Sequence, residues 1–125
     1  MRQYEVTLRD KPGELARLTQ SLALRRINIR ALSTERSAQG RTKVYVVTDD
    51  NRRTYAALRG NFDFISTELL TASLPDRPGA LADLAARLAE HGVNIEVVYT
   101  VDKKGGTVEL ALVTDNPVKA ARLLT

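Results

Sequence analysis

A nine-residue stretch occurs twice in this chain, and the duplication limits what the chain can fold into. Asp10–Leu18 reads DKPGELARL and Asp76–Leu84 reads DRPGALADL, so that equivalent residues lie 66 positions apart. Each stretch is followed, at the same spacing, by an Asn-Ile pair. Both halves must be able to form the same unit. We therefore predict two copies, residues 1–67 and 68–125, and expect function in the repeated loop.

The hydrophobic pattern predicts the same element order in both copies. Alternating Tyr4, Val6 and Leu8 predict a strand before the first loop, and leucines at helical spacing predict a helix after it. A strand, a hairpin and a second helix follow, which gives β-α-β-β-α. The predicted strands, turns and helix end are as follows: strands from Ile27 through Thr34 and over Lys43–Thr48, Val93–Val101 and Thr107–Thr114; turns at Ser37–Gly40 and Asp102–Gly106; a final helix to Leu124.

One extended segment is expected to serve both copies. Phe62–Leu74 predicts the last strand of the first copy and the first strand of the second. The second copy then has no sequence for a last strand of its own, so one sheet edge is expected to be open. Because unpaired edges are covered or used for association, we predict a homodimer or larger assembly.

Several residues have structural interpretations. Pro12 suits the first turn of the first helix, and Asp10 is expected to cap it. Carboxylates preceding the second helices are interpreted as caps, and two leucine triplets as core stripes: Asp49, Asp50 and Asp115; Leu15, Leu18 and Leu22; Leu81, Leu84 and Leu88. Arg26 stands where the second copy has Gly92, so the first copy's turn is expected to differ.

Composition excludes several classes of function. With no Cys and one His, the sequence has no grouping typical of a metal site, a cofactor or a nucleophile–base pair, and we expect a non-catalytic protein. No apolar run approaches the ~20 residues of a membrane span, and no signal peptide is indicated, so a cytoplasmic location is expected. Residues 1–60 carry +7 and residues 61–125 carry −3. That asymmetry favours docking between complementary surfaces over nucleic-acid binding, which lacks a motif.

The element order predicts an α+β fold of two tandem ferredoxin-like (βαββαβ) units, with antiparallel sheets and helices on one face. A strand, then D-x-P-G-x-L-x-x-L, a helix, and N-I opening the next strand resembles the ACT domain family, over essentially the whole chain and twice. The resemblance implies a small protein of two tandem ACT domains. Such domains are mostly regulatory and bind small molecules, usually amino acids, between paired units.

The resemblance places the ligand at the Pro-Gly loop of one unit and the Asn on the second strand of the other. The chemistry agrees, since a helix N-terminus offers N–H groups to a carboxylate, and Asp or Asn oxygens can accept from an ammonium. The loops would face each other's Asn, pairing Asp76–Leu81 with Asn28 and Asp10–Leu15 with Asn94. The predicted ligand-binding residues are Asp10, Lys11, Pro12, Gly13, Glu14, Leu15, Asn28, Ile29, Asp76, Arg77, Pro78, Gly79, Ala80, Leu81, Asn94 and Ile95.

Other interpretations remain open from the sequence. The Asp and Gly residues of the loop are also what a cap and a turn require. The pair of units is also compatible with a regulatory subunit that docks on an amino-acid biosynthetic enzyme without a working ligand site. A basic first half leaves nucleic acid as a third, weaker alternative, because few aromatic residues are available for stacking on bases.

Overall fold

The computed structural model describes residues 1–124, which form two compact α+β units, residues 1–67 and 68–124. Unit 1 holds a four-stranded sheet in the order β2-β3-β1-β4. Its elements are β1 (Arg2–Arg9), α1 (Glu14–Leu24), β2 (Ile29–Ser37), β3 (Arg41–Thr48), α2 (Asn51–Leu58) and β4 (Asp63–Glu68).

Unit 2 holds a three-stranded sheet in the order β5-β7-β6. Its elements are β5 (Leu70–Pro75), α3 (Ala80–Glu90), β6 (Ile95–Lys104), β7 (Thr107–Thr114) and α4 (Pro117–Leu123). The predicted element order and the α+β class are thus confirmed. The bounds differ mainly at β2 and β6, which each begin two residues later and end three residues later than expected. β6 thus runs through Asp102–Lys104 into a tight Gly105-Gly106 turn.

The segment expected to serve both copies does so as two strands. The chain leaves β4 at Glu68 and enters β5 at Leu70, with the buried Leu69 between them. β4 belongs to the sheet of unit 1 and β5 to the sheet of unit 2. The apolar run from Phe62 to Leu74 could not show where one strand ends, because both strands use the same residue types.

The core of unit 1 forms where alternating strand residues meet the two helices. Tyr4 lies opposite Val46 and Val6 opposite Val44 across the antiparallel β1–β3 pair, so these side chains share one face. Leu18 and Leu22 of α1 and Leu58 of α2 complete the same buried cluster. Burying each large apolar side chain contributes about 1.5–3 kcal/mol.

Unit 2 repeats this packing with its own cluster. Leu84 and Leu88 of α3 pack with Leu110 and Leu112 of β7, and Ala120 of α4 joins them. Each unit therefore has a hydrophobic core of its own.

The first leucine of each predicted core stripe is not in the core. Leu15 is 42% exposed and Leu81 is 46% exposed, whereas the other four leucines are buried. The expectation for Leu15 and Leu81 was wrong. Each lies in the first turn of its helix, directly after the Pro-Gly loop, where the helix start covers it only in part. Two large apolar side chains are thus presented at equivalent places next to the predicted ligand site.

Sheet edges differ between the units within residues 1–124. In unit 1, β1 is flanked by β3 and β4, whereas its counterpart β5 is flanked by β7 alone. Across the same described range, the helices are all too short or too polar to span a bilayer.

Candidate functional site

The repeated loop is a Pro-Gly turn that ends at the first residue of a helix. Gly13 has φ 93° and ψ −15°, and Gly79 has φ 88° and ψ −13°, the values of the third residue of a type II turn. The turn closes with hydrogen bonds from Glu14 N to Lys11 O and from Ala80 N to Arg77 O. Pro12 therefore precedes α1, so its placement in the first helical turn was wrong.

The aspartates before each turn do not cap the helices. Asp10 Oδ2 forms an ion pair with Arg36 Nε at 2.9 Å, and Asp76 Oδ2 forms one with Lys103 Nζ at 3.5 Å. The N–H of each aspartate donates to a hairpin glycine, Gly40 or Gly106, at 2.8 Å. The expectation of an Asp10 cap was wrong. These aspartates hold the loop against the hairpin that follows the helix.

The first N–H groups of both helices consequently have no side-chain cap. The first i→i−4 bonds run from Arg17 N to Gly13 O and from Asp83 N to Gly79 O. Among residues 1–124, no acceptor binds the N–H groups of Leu15 and Ala16, or of Leu81 and Ala82. Free N–H groups at the positive end of a helix dipole favour an anion such as a carboxylate.

The two helix starts differ in charge. Glu14 occupies the first position of α1, where it accepts hydrogen bonds from Arg17 Nε at 3.2 Å and from the N–H of Arg9 at 3.4 Å. The bond from Arg17 lowers the pKa of Glu14, so this carboxylate is anionic at neutral pH. Ala80 stands at the equivalent position of α3. At the first helical position an incoming carboxylate meets the Glu14 carboxylate in α1 and a neutral alanine in α3. The carboxylates nearest the α3 start, Asp76 and Asp83, are ion-paired with Lys103 and Arg77, each at 3.5 Å.

A cavity of about 230 Å³ opens at the unit 2 loop. It is small beside the ~300–1,000 Å³ pockets of drug-sized ligands, which suits a molecule of amino-acid size. Its lining joins the loop to β6 and to the sheet, through Asp76, Arg77, Ala80, Leu81, Thr100 and Lys103 among others. Thr100 and Lys103 were not predicted. Both lie on β6, and their only sequence signal is the copy offset, which aligns them with Thr34 and Ser37 of the first copy.

Asn28 and Asn94 are held by their backbones. Asp49 Oδ1 accepts from Asn28 N at 3.0 Å, and Asp115 Oδ1 accepts from Asn94 N at 2.9 Å. The N–H of each aspartate donates back to the carbonyl of the same asparagine at 3.1 Å. These reciprocal bonds leave both asparagine side chains exposed. Ile29 and Ile95, the next residues, pack against the cores of their own units.

The expected caps are therefore only partly correct. Asp50 caps α2 by accepting from Arg53 N at 3.0 Å, as predicted. Asp49 and Asp115 are not caps, because their carboxylates bind the asparagine backbones. Asn116 caps α4 instead, accepting from Lys119 N at 3.1 Å.

The turns before the two asparagines have the same geometry, contrary to expectation. Arg26 has φ 55° and Gly92 has φ 72°, so Arg26 adopts the left-handed conformation without being glycine. In each copy the next residue donates its N–H to the carbonyl of a leucine five residues earlier in the chain, from Ile27 to Leu22 and from Val93 to Leu88. This is the Schellman arrangement. Asn28 and Asn94 thus follow equivalent turns.

Within one unit, the loop and the asparagine lie at opposite ends of the same helix. An 11-residue helix such as α1 or α3 is about 16 Å long. A single amino acid cannot reach both ends. A site that uses both features needs the loop of one unit and the asparagine of another.

Tyr99 marks a further difference between the units, since Ser33 occupies its place in β2. Tyr99 lies opposite Ala111 in the β6–β7 pair. Burial raises the pKa of its phenol to about 12. Tyr99 is thus a desolvated, neutral group on the strand that follows Asn94.

The part of the chain that the structure describes holds no cluster of potential metal ligands. Within residues 1–124, no three His, Asp or Glu side chains come together as metal ligands. The lone His91 at the end of α3 is exposed, and its Nδ1 lies 2.9 Å from Arg87 O. The candidate site is a Pro-Gly loop that ends at uncapped helix N–H groups.

Comparison with known proteins gives a family for the second half. The ACT domain family model matches residues 68–122. An ACT domain is found in unit 2. The match covers one of the two units, so a second ACT domain in unit 1 stays a prediction, although unit 1 has the same element order. Among curated proteins, none matches the sequence.

Solved structures match the whole chain. A protein from Bacteroides thetaiotaomicron is 29% identical with a TM-score of 0.90, over 98% of this chain and 85% of that one. The ligand-free regulatory subunit of aspartate kinase from Thermus thermophilus is 19% identical with a TM-score of 0.68, over 98% and 88%. Aspartate kinase from Synechocystis is 22% identical with a TM-score of 0.62, over 98% of this chain and 24% of that one. The last two likenesses show the fold.

Proposed function

We propose that this protein is a non-catalytic regulator that binds an amino acid at its Pro-Gly loops and transmits binding to an enzyme partner or to its own association. The uncapped N–H groups after the Gly79 turn carry the proposal. They offer donors to a ligand carboxylate beside the unit 2 cavity, where the nearby carboxylates of Asp76 and Asp83 are ion-paired with Lys103 and Arg77. The fold neighbours include regulatory subunits of aspartate kinase, which supports a regulatory role.

The two loops are unequal in this proposal. The Asp76–Leu81 loop with Asn28 is the stronger site, because α3 begins with the neutral Ala80 and its first-turn carboxylate, Asp83, is paired with Arg77. The Asp10–Leu15 loop with Asn94 is weaker, because the Glu14 carboxylate lies at the start of α1 and repels a ligand carboxylate. The amide of Asn28 would accept from the ligand ammonium or donate to its carboxylate.

Calorimetric titration with the twenty amino acids tests the proposal. One of them should bind, and a thermal shift should rise with its concentration by linkage. Asn28→Ala should weaken binding by about tenfold or more, corresponding to one lost hydrogen bond of ~1.4 kcal/mol. Gln20→Ala is the matched control, because Gln20 is an exposed amide in the second half of α1, outside both loops.

Gly79→Asp should abolish binding at its loop by placing a carboxylate among the free N–H groups. Because Gly79 has φ 88°, the substitution also strains the turn, so its fold must be verified by circular dichroism. Absence of binding by all twenty amino acids at millimolar concentration contradicts the ligand proposal. If no amino acid binds and the protein co-purifies with a biosynthetic enzyme, the results favour a docking subunit without a working ligand site.

A further inference from the structure

A second cavity, of about 580 Å³, lies in unit 1 where four segments converge. They are the end of β1, the start of α1, the start of β3 and the turn between α2 and β4. Its charged lining comprises Arg9, Glu14, Arg17, Arg41 and Asp63. Of these, only Glu14 belongs to the Pro-Gly loop.

Two of the arginines face each other across the sheet. Arg9 of β1 and Arg41 of β3 are direct partners in the antiparallel register. Like charges at opposed positions destabilise a strand pair. Among the described residues, neither guanidinium has a carboxylate partner in an ion pair. The fold therefore keeps two positive charges together without an ion-pair partner among residues 1–124.

A third guanidinium is held in place at the cavity wall. Arg17 donates to Glu14 Oε2 at 3.2 Å and to Asn61 O at 3.3 Å, and it lies 4.3 Å from the centre of the Phe62 ring. These contacts fix Arg17 before any ligand arrives, and they balance its charge with Glu14. Of the remaining charges on the wall, Arg9 and Arg41 are positive and Asp63 is negative, which leaves one net positive charge.

Unit 2 lacks all of these guanidinium groups. At the 66-residue offset, Arg9, Arg17 and Arg41 correspond to Pro75, Asp83 and Thr107. The repeat therefore does not require arginine at these positions for its fold. The three arginines account for part of the basic character of the first half.

We propose that this unit 1 cavity binds an oxyanion, the phosphate or carboxylate group of a small molecule, between Arg9 and Arg41. Paired guanidinium groups offer several N–H donors in the planar geometry that such anions accept. Asp63 on the same wall accepts a hydrogen bond from a hydroxyl or amino group of the ligand and disfavours anions without one. The cavity shares Glu14 with the Asp10–Leu15 loop, but its proposed anion donors, Arg9 and Arg41, lie outside both loops.

Titration monitored by backbone amide NMR tests this site at constant ionic strength. Inorganic phosphate and malate, which both carry a hydroxyl group, are the two probes, and they separate a phosphate ligand from a carboxylate one. Saturable shifts at Arg9 and Asn61, in the millimolar range or tighter, support the proposal with either probe. The double variant R9Q/R41Q should lose at least about tenfold in affinity, whereas Arg52→Gln on exposed α2 should bind as the native protein does.

Stability without ligand gives a second readout. At low ionic strength Arg41→Gln should melt at a higher temperature than the native protein, because it removes the repulsion with Arg9, and Arg52→Gln should not. If the double variant fails to fold, the single variants Arg9→Gln and Arg41→Gln replace it. Absence of saturable shifts with both probes, or equal affinity in the arginine variants, overturns the proposal. Amino-acid binding at the Asp76–Leu81 loop, whose cavity shares no residue with this one, would be unaffected by either result.

Discussion

Arg26 shows how one residue can carry strain that its counterpart avoids. Both Arg26 and Gly92 close the same Schellman turn in the left-handed region. That conformation costs a residue with a Cβ about 1–2 kcal/mol. No atom lies within 4 Å of a Cβ built on Gly92, so the difference between the two positions is one of backbone conformation.

Arg26→Gly is therefore expected to stabilise the protein. The relief of strain exceeds the greater entropy of glycine in the unfolded chain, which leaves a gain of roughly 0.5 kcal/mol. The matched change, Gly92→Ala, should lower the free energy of unfolding by roughly 0.5–1 kcal/mol. Urea denaturation measures both. Changes of the same sign in the two variants would contradict the argument.

Tyr99 makes the stability of the protein depend on alkaline pH. The folded state raises the pKa of its phenol from 10 to about 12. Below pH 10 the phenol is neutral in both states, and its contribution is fully present. Between pH 10 and 12 the unfolded chain ionises first, so the free energy of unfolding falls as pH rises. In Tyr99→Phe this fall should be smaller, which urea titrations at pH 8 and pH 11 can measure.

At the scale of elements, the two units satisfy equivalent buried threonines differently. Thr48 Oγ1 lies 2.7 Å from Thr54 Oγ1, which joins the end of β3 to α2. At the offset, Thr114 corresponds to Thr48, but Ala120 takes the place of Thr54. Thr114 Oγ1 is buried with no hydrogen-bond partner. A buried hydroxyl without a partner costs about 1–3 kcal/mol.

Thr114→Val should therefore raise the free energy of unfolding by about 1 kcal/mol, since valine keeps the shape and removes the unsatisfied hydroxyl. Thr48→Val should lower it by about 1–2 kcal/mol, because it breaks a buried bond. Differential scanning calorimetry of the two variants measures both changes in the free energy of unfolding. A loss of stability in Thr114→Val would mean that the hydroxyl has a partner in solution.

Element order followed from the sequence, whereas side-chain partners did not. The offset of 66 and the alternation in Tyr4, Val6 and Leu8 were enough for the α+β units. The sequence did not reveal that the Asp10 carboxylate pairs with Arg36 or that the Asp49 carboxylate accepts from Asn28 N, because both contacts join residues that are distant in sequence. Leu15 fits the helical period yet is exposed, since period alone does not say where the sheet ends beneath a helix.

For the whole molecule, association is the property that remains to be measured. Equivalent apolar side chains are exposed in both units, Leu15 with Leu81 and Leu32 with Val98. The strand edge of β5 away from β7 is also unpaired within residues 1–124. Exposed apolar groups and open edges both favour assembly.

Sedimentation is expected to give at least twice the chain mass of 13.8 kDa. Val98→Lys should weaken association by burying a charge in the contact. Val118→Lys on α4, where the native valine is 65% exposed, is the control and should leave association unchanged. A monomer at high protein concentration would contradict the prediction.

The hydrogen bonds from Asp10 to Gly40 and from Asp76 to Gly106 give each loop an external reporter. A loop that closes on a ligand must pull on its hairpin tip or break that bond. The chain has no Cys, so Ala38→Cys or Lys104→Cys would give a single labelling position near one tip. A fluorophore there would report on one loop at a time, and the two signals would show which loop fills first.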